Sequence, residues 1–194
     1  MKKTISLFLV LALALSLAAC GGQTAQSPAP TPTAVPESPA AEAHYPVTIT
    51  SYNENGETYT QTFDQCPERV VSISQANTEL LLALGLRDKI IATAHRFSPV
   101  YEPLAEEYNS IPFIAEKGYP AKEVVLDQEP DMIVGWGSLF AEDALGPVSE
   151  WNDRGAGTYL MNNTVSGLGN RTVEFLYDDI ETLGQIFDVE DATI

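Results

Sequence analysis

"PERVVSISQANTELLLALGLRDKIIATA", residues 67 to 94, is the stretch whose reading decides the fold. "RVVSIS" is a short apolar run rich in β-branched residues, as a buried strand requires, and "DKIIATA" (88 to 94) is a second run of the same kind. Between them lies an apolar segment with one acid, Glu79, near its start. Asn77 has the chemistry of an N-cap, with Thr78 and Glu79 in the first turn. A carboxylate there faces the positive end of the helix dipole, worth about 0.3 to 1 kcal/mol. Gly85 supplies the stop. The stretch therefore reads as strand, helix, strand.

Upstream, "YPVTITSYNENGETYTQTF" alternates apolar and polar residues on both sides of an Asn-Gly pair, which predicts a β-hairpin over residues 46 to 52 and 57 to 63. Downstream, residues 98 to 108 read as a loop with a helical turn, and "SIPFIA" as a brief extended piece. "PAKEVVLDQEP" reads as a short helix between Pro120 and Pro130, and "DMIVGW" as a buried strand. "AEDALGPVSEWNDRG" reads as a helix interrupted near Gly146-Pro147, and "GTYLMN" as a strand. "TVEFLYDDIETLGQIF" reads as an amphipathic helix with its stripe at 173, 176, 180, 183 and 186/187. Short strands alternating with helices imply parallel pairing through right-handed crossovers. The predicted fold is α/β, a three-layer sandwich around a mainly parallel sheet, preceded by the hairpin.

The first 43 residues are of another kind. "MKK" followed by the apolar run from Ile5 to Leu17 has the layout of a secretory signal and is short for a bilayer span, which needs about 20 residues. It ends in Leu17-Ala18-Ala19-Cys20, which resembles the lipobox of bacterial lipoproteins. That resemblance implies cleavage before Cys20, a lipidated thiol there, and a protein anchored to the outer face of a cell membrane. Residues 20 to 43, rich in Pro, Ala, Ser and Thr, cannot bury enough surface to fold and read as a tether. The folded part is expected over residues 44 to 187, with 188 to 194 starting a connection onward.

The chain has 10 Lys+Arg against 27 Asp+Glu, which argues against nucleic acid as a partner. Of its two cysteines, Cys20 is the expected lipidation site, which leaves Cys66 as a small packing residue without a partner for a disulfide or a cysteine zinc site. There is no G-x-S-x-G elbow, phosphate loop or H-E-x-x-H, and His44 and His95 are too far apart in sequence to suggest a metal cluster. Glu106-Glu107 and Asp178-Asp179 read as solvated surface, because neighbours on a helix do not face each other. No enzyme, resident metal or cofactor is expected.

In parallel α/β sheets the ligand lies beyond the carboxyl ends of the strands. That rule marks four loops: Ser74 and Gln75; His95, Arg96 and Phe97; Glu116 to Tyr119, with Lys117 among them; and Trp136 to Ser138. Trp136, between Gly135 and Gly137, is either free to stack on a ligand or a core residue capping the sheet. Arg96 and Lys117 are either cations that attract an anionic ligand or solvated surface charges. A lone histidine such as His95 is more often a hydrogen-bonded structural residue than a metal ligand.

"PERVVSISQANTELLLALGLRDKIIATA", "VVLDQEPDMIVGW" and "DDIETLGQIFDVED" together resemble, in order and spacing, the substrate-binding lipoproteins of ABC importers for ferric siderophores, haem and cobalamin. The resemblance spans residues 67 to about 190. It implies two α/β lobes joined by a long rigid helix, with the ligand caught between them. It also implies that Glu79 docks on arginines of the permease membrane subunits, and that Trp136 is an aromatic ligand contact. By the same resemblance, the loops at His95 to Phe97 and Glu116 to Tyr119 fall at further contact positions. The expected function is capture of an iron chelate or related metal complex for delivery to the permease. A rival is a one-lobe surface module that keeps the fold and binds no solute. The sequence stops at Ile194, about where the connecting helix is expected, so it reads as the N-terminal lobe, either of a longer protein or of a natural one-lobe chain.

Overall fold

Alternation within the strands assigns residues to two cores, one on each face of a central sheet. The structure, a computed structural model, describes residues 43–190. The signal, Cys20 and nearly all of the tether lie outside these residues, as do the last four of the expected connection. A hairpin comes first, with β1 (Val47–Tyr52) antiparallel to β2 (Thr58–Phe63). β3 (Val70–Ile73), α1 (Gln75–Ala83) and β4 (Ile90–Ala94) follow as the strand–helix–strand unit. Then come α2 (Ala105–Asn109), β5 (Phe113–Ala115), α3 (Lys122–Leu126), β6 (Met132–Gly135), α4 (Val148–Asn152), β7 (Gly157–Leu160) and α5 (Val173–Phe187).

The five later strands are all parallel, in the order β5-β4-β3-β6-β7. Val70, Ile90, Met132, Val134 and Tyr159 face one core, with Leu81 and Leu82 of α1, Tyr108 of α2 and Leu183, Ile186 and Phe187 of α5. Val71, Ile73, Ala92, Ile133 and Leu160 face the other, with Val125 of α3, Leu139, Phe140 and Trp151 of α4. Helix, sheet and helix make the three layers.

The hairpin has a use the sequence did not suggest. β7 is an edge strand with unpaired backbone groups, a liability for non-native pairing. Gln61 of β2 covers it: its Nε2 donates to Thr158 O at 2.8 Å, and its Oε1 accepts from Thr158 N at 2.9 Å. One side-chain amide thereby stands in for a neighbouring strand.

Five local expectations are corrected. α1 begins at Gln75 with Ser74 as its N-cap residue, so Asn77 lies inside the helix and donates from Nδ2 to Ile73 O. Glu79 is consequently outside the first turn, and the dipole account of it fails. Residues 141–146 form turns rather than helix after a 3-10 turn at Gly137–Phe140; only the Val148–Asn152 part is helical. The stripe of α5 is buried in its second half, whereas Val173 and Leu176 are exposed. Asp179 is not solvated surface: it is 1% exposed.

Candidate functional site

Chain order runs β3, β4, β5 to one side of the sheet and then returns to place β6 and β7 on the other side of β3. The crevice of such a sheet opens at that reversal, between the carboxyl ends of β3 and β6. The loops that follow the strands are tied to one another there. Ser74 N donates to Ala94 O at 3.0 Å, His95 N to Ala115 O at 2.9 Å, and Met161 N to Gly135 O at 3.0 Å. Ser74 (φ 104°) and His95 (φ 61°) hold positive backbone angles uncommon for residues with a Cβ. Strained backbone of this kind is held by its surroundings and concentrates at binding sites.

Four aromatic side chains from three of these loops converge. His95 is the hub, with ring centroids 5.7 Å from Phe97, 5.4 Å from Tyr119 and 5.7 Å from Trp136, the last nearly perpendicular at 81°. Phe97 and Trp136 are 6.2 Å apart. These separations are those of favourable aromatic pairs, so the cluster supports itself. Phe97 is 56% exposed, and Tyr119 and Trp136 are half-buried, which leaves an aromatic surface facing outward. Tyr119 and Ser138 join their hydroxyls at 2.9 Å, linking the loops after β5 and β6. His95 Nδ1 is buried without a hydrogen-bond partner among the described residues, so the ring is held by packing rather than by the expected hydrogen bond.

Other expected contacts take different roles. Ser74 and Gln75 are buried and offer no surface to a ligand. Gln75 instead shapes the rim: its Oε1 accepts from Phe97 N (3.2 Å) and Ser98 N (3.0 Å), and its Nε2 donates to Pro99 O and Glu79 Oε1. Gly135 and Gly137 serve the chain's own packing rather than ligand approach. A Cβ on Gly135 would meet Leu139 Cδ2 at 2.4 Å, and one on Gly137 would meet Thr164 O at 2.8 Å. Trp136 is neither at a sheet edge nor wholly in the core, because β6 is an interior strand and one side of the indole packs on the core.

Arg96 pairs with Glu116 at 3.0 Å and lies 4.9 Å from the centre of the Phe113 ring. With Lys117, His95, Phe97, Ser98 and Gly118 it lines a hollow of about 440 Å³. A second hollow, of about 250 Å³, is lined by Trp136, Ser138, Asn163, Thr164 and Arg171. The last three were missed in the sequence. The carboxyl-end rule that marked four loops applies equally to the loop after β7, and that was the available signal. Among the described residues, no group of three His, Cys, Asp or Glu side chains is placed to hold a metal ion.

The missed loop is anchored by Asp179, whose Oδ1 accepts from Tyr159 OH (2.9 Å) and Asn162 N (3.0 Å). Burial pushes its carboxyl up to about 6 against the pull of those two donors, with Asp178 adding in the same direction. The folded protein therefore holds this proton more tightly than the unfolded chain. Relative to Asp179→Asn, which keeps an acceptor in place, the wild type loses stability as pH rises from about 4 to 6. The loss is about 3 kcal/mol at most. Urea unfolding of both proteins across that interval checks this, and parallel curves would contradict it.

No protein-family model matches the chain, and no curated protein matches it. Solved structures do. A periplasmic binding protein from Veillonella parvula is 32% identical over 77% of this chain and 48% of that one, with a TM-score of 0.71. The described domain is built on the periplasmic-binding-protein fold. A structure from Saccharomonospora viridis described as an ABC-type ferric hydroxamate transport system is 25% identical over 77% of this chain and 51% of that one, with a TM-score of 0.61. The petrobactin-binding protein of Bacillus subtilis shares the fold at 20% identity, covering 75% of this chain and 47% of that one, with a TM-score of 0.51. The resemblance to ABC-importer binding proteins read from residues 67 to about 190 is thus borne out. The chain spans about half the length of the solved structures it matches. Among the described residues, no helix is long and apolar enough to cross a membrane.

Proposed function

We propose that this chain belongs to the solute-binding component of an ABC importer, and that its solute is an iron chelate or related metal complex, haem and cobalamin included. The observation that carries the reading is the exposed aromatic surface of Phe97, Tyr119 and Trp136 around His95, set at the sheet's reversal point. Bulky chelates present flat or rounded organic faces, and aromatic side chains bind such faces with little loss of rotamer freedom. The neighbour from S. viridis, whose description names a ferric hydroxamate transport system, supports the class of ligand. One lobe covers one side of a ligand. Closure of a second lobe over it, followed by docking, is the mechanism this reading implies. Lipidation at Cys20 would hold the protein at the outer face of the membrane, beside the permease.

Docking is assigned to Glu79. The side chain is half-buried and held in place, since its Oε1 accepts from Gln75 Nε2 (2.8 Å) and Tyr101 N (3.2 Å). A carboxylate fixed in this way meets a permease arginine with less entropy to lose than a free one. Glu79→Gln keeps an oxygen for both donors and removes only the charge. Its expected result is unchanged chelate affinity with uptake of labelled ferric chelate into cells reduced about tenfold or more; wild-type uptake by the variant would contradict docking. The solute-binding reading itself is tested by titrating the full-length protein with ferric hydroxamates, ferric catecholates and haem. Saturable one-to-one binding of one of them is expected, and no binding of any would favour the rival surface module.

A further inference from the structure

Among the described residues Asp179 is the only acid or base that is fully buried, and neither the aromatic surface nor the docking acid involves it. Asparagine in its place would accept from Tyr159 OH and Asn162 N without the desolvation that an ionised carboxylate carries. Nothing nearby offsets that cost. From β7 it faces the Tyr159 hydroxyl, from the loop beyond β7 the Asn162 N–H, and on its own helix Asp178, whose charge opposes it. β1 also packs on α5, but its one titratable side chain, Tyr52, belongs to the opposite core. A buried acid that the fold could replace by its amide is a candidate for a task that needs the charge.

That task is suggested by what the carboxylate holds. Asn162, bonded to Asp179 Oδ1 at 3.0 Å, opens a 3-10 turn that ends at Thr164. Thr164 Oγ1 accepts from Gly137 N at 2.9 Å and donates to Met161 O at 2.6 Å, which fastens the turn to the residue after Trp136. There is no slack at this joint, since a Cβ on Gly137 would meet Thr164 O at 2.8 Å. Asn163, in the middle of the turn, brackets the N-cap residue of α5: its Nδ2 donates to Thr172 O (2.9 Å) and its Oδ1 accepts from Thr172 N (2.8 Å). Asp179 lies about two turns further along that helix. Helix, turn and the Trp136 loop are thus joined by one set of hydrogen bonds with a single ionisable member.

We infer that Asp179 is a proton-sensitive support for the mouth: ionised, it holds the 162–164 turn, and through Gly137 it keeps Trp136 in the position that receives the solute; protonated, it loosens that wall and weakens binding. The consequence for binding rests on the solute-binding reading, whereas the movement of the wall does not. Hydrogen bonds to a charged acceptor are about twice as strong as neutral ones, which sets the direction. Because burial pushes the carboxyl up to about 6, the wall is tight above that pH and loosens below it. The same charge that lowers global stability orders the mouth. Asp179 is a positioning residue, touching no solute.

The test compares the full-length protein with Asp179→Asn at pH 5 and pH 7. Hydrogen exchange at the Gly137 amide, with no chelate present, is the first measurement. Wild-type protection is expected to be about fivefold higher at pH 7, the weight of one charge-assisted bond over a neutral one, and that of Asp179→Asn the same at both. His95, beside Trp136, is present in both proteins, so the difference between them isolates Asp179. The second measurement is affinity for a neutral ferric trihydroxamate, expected to be about threefold or more tighter at pH 7 in the wild type and pH-independent in the variant. Wild-type protection that does not change between the two pH values, or that changes equally in the variant, overturns the support. The expected Gly137 difference with an affinity that ignores pH overturns its link to binding. The expected Gly137 difference with no binding of the trihydroxamate, of a ferric catecholate or of haem overturns the solute-binding reading and leaves the support standing.

Discussion

Replacing Trp136 by alanine is expected to lower affinity for a ferric chelate roughly a hundredfold. The indole offers the largest aromatic face at the mouth, and losing its contact with a flat ligand costs about 2 to 3 kcal/mol from buried area and stacking together. Trp136 also packs on the core with its other side, so Trp136→Ala loses some stability as well. Trp136→Phe separates the effects, because it keeps a ring against the core and a smaller face to the ligand. Calorimetric titration of the three proteins is expected to order them wild type, Phe, Ala. Equal affinities in all three would place the ligand elsewhere.

The largest stability loss is expected at the other tryptophan. Trp151 is 1% exposed in α4, and its Nε1 donates to Leu145 O at 3.1 Å. Trp151→Ala empties the centre of the core beneath α3 and α4 and leaves that buried carbonyl without its donor. The expected cost is about 3 to 5 kcal/mol, read as a lower urea midpoint. Chelate affinity of the protein that remains folded is expected to be unchanged, since Trp151 is absent from both mouth hollows. A loss under about 1 kcal/mol would mean that α4 is not a layer of the fold.

Apolar runs bounded by breakers made the strands legible: Val70–Ile73 and Met132–Gly135 are buried at every position and read as such. The Asn-Gly pair set the hairpin, and the carboxyl-end rule collected His95, Phe97, Tyr119 and Trp136 before any geometry was known. What escaped depends on tertiary contact. Asn77 has the chemistry of a cap, but Ser74, tied to Ala94 by its own N–H, starts the helix three residues earlier. Asp179 looks solvated beside Asp178, yet the Tyr159 hydroxyl and Asn162 N–H draw it inward. Gly135 and Gly137 look like room for a ligand, and the room is filled by Leu139 and the Thr164 carbonyl. Arg171 has no local pattern at all. Its place beside Trp136 comes from the adjacency of β6 and β7 in the sheet.

On the proposed function, a metal chelate rests on the aromatic mouth beyond β4, β5 and β6. Crystals of the full-length protein grown with a ferric tris-catecholate, with data collected at the iron absorption edge, locate the metal without assumptions about the organic ligand. The account predicts one strong anomalous peak in front of the Trp136, Tyr119 and Phe97 rings. A peak in the acidic hollow around Glu54, Glu142 and Glu150, or no ordered iron from a protein that binds the chelate in solution, would contradict it.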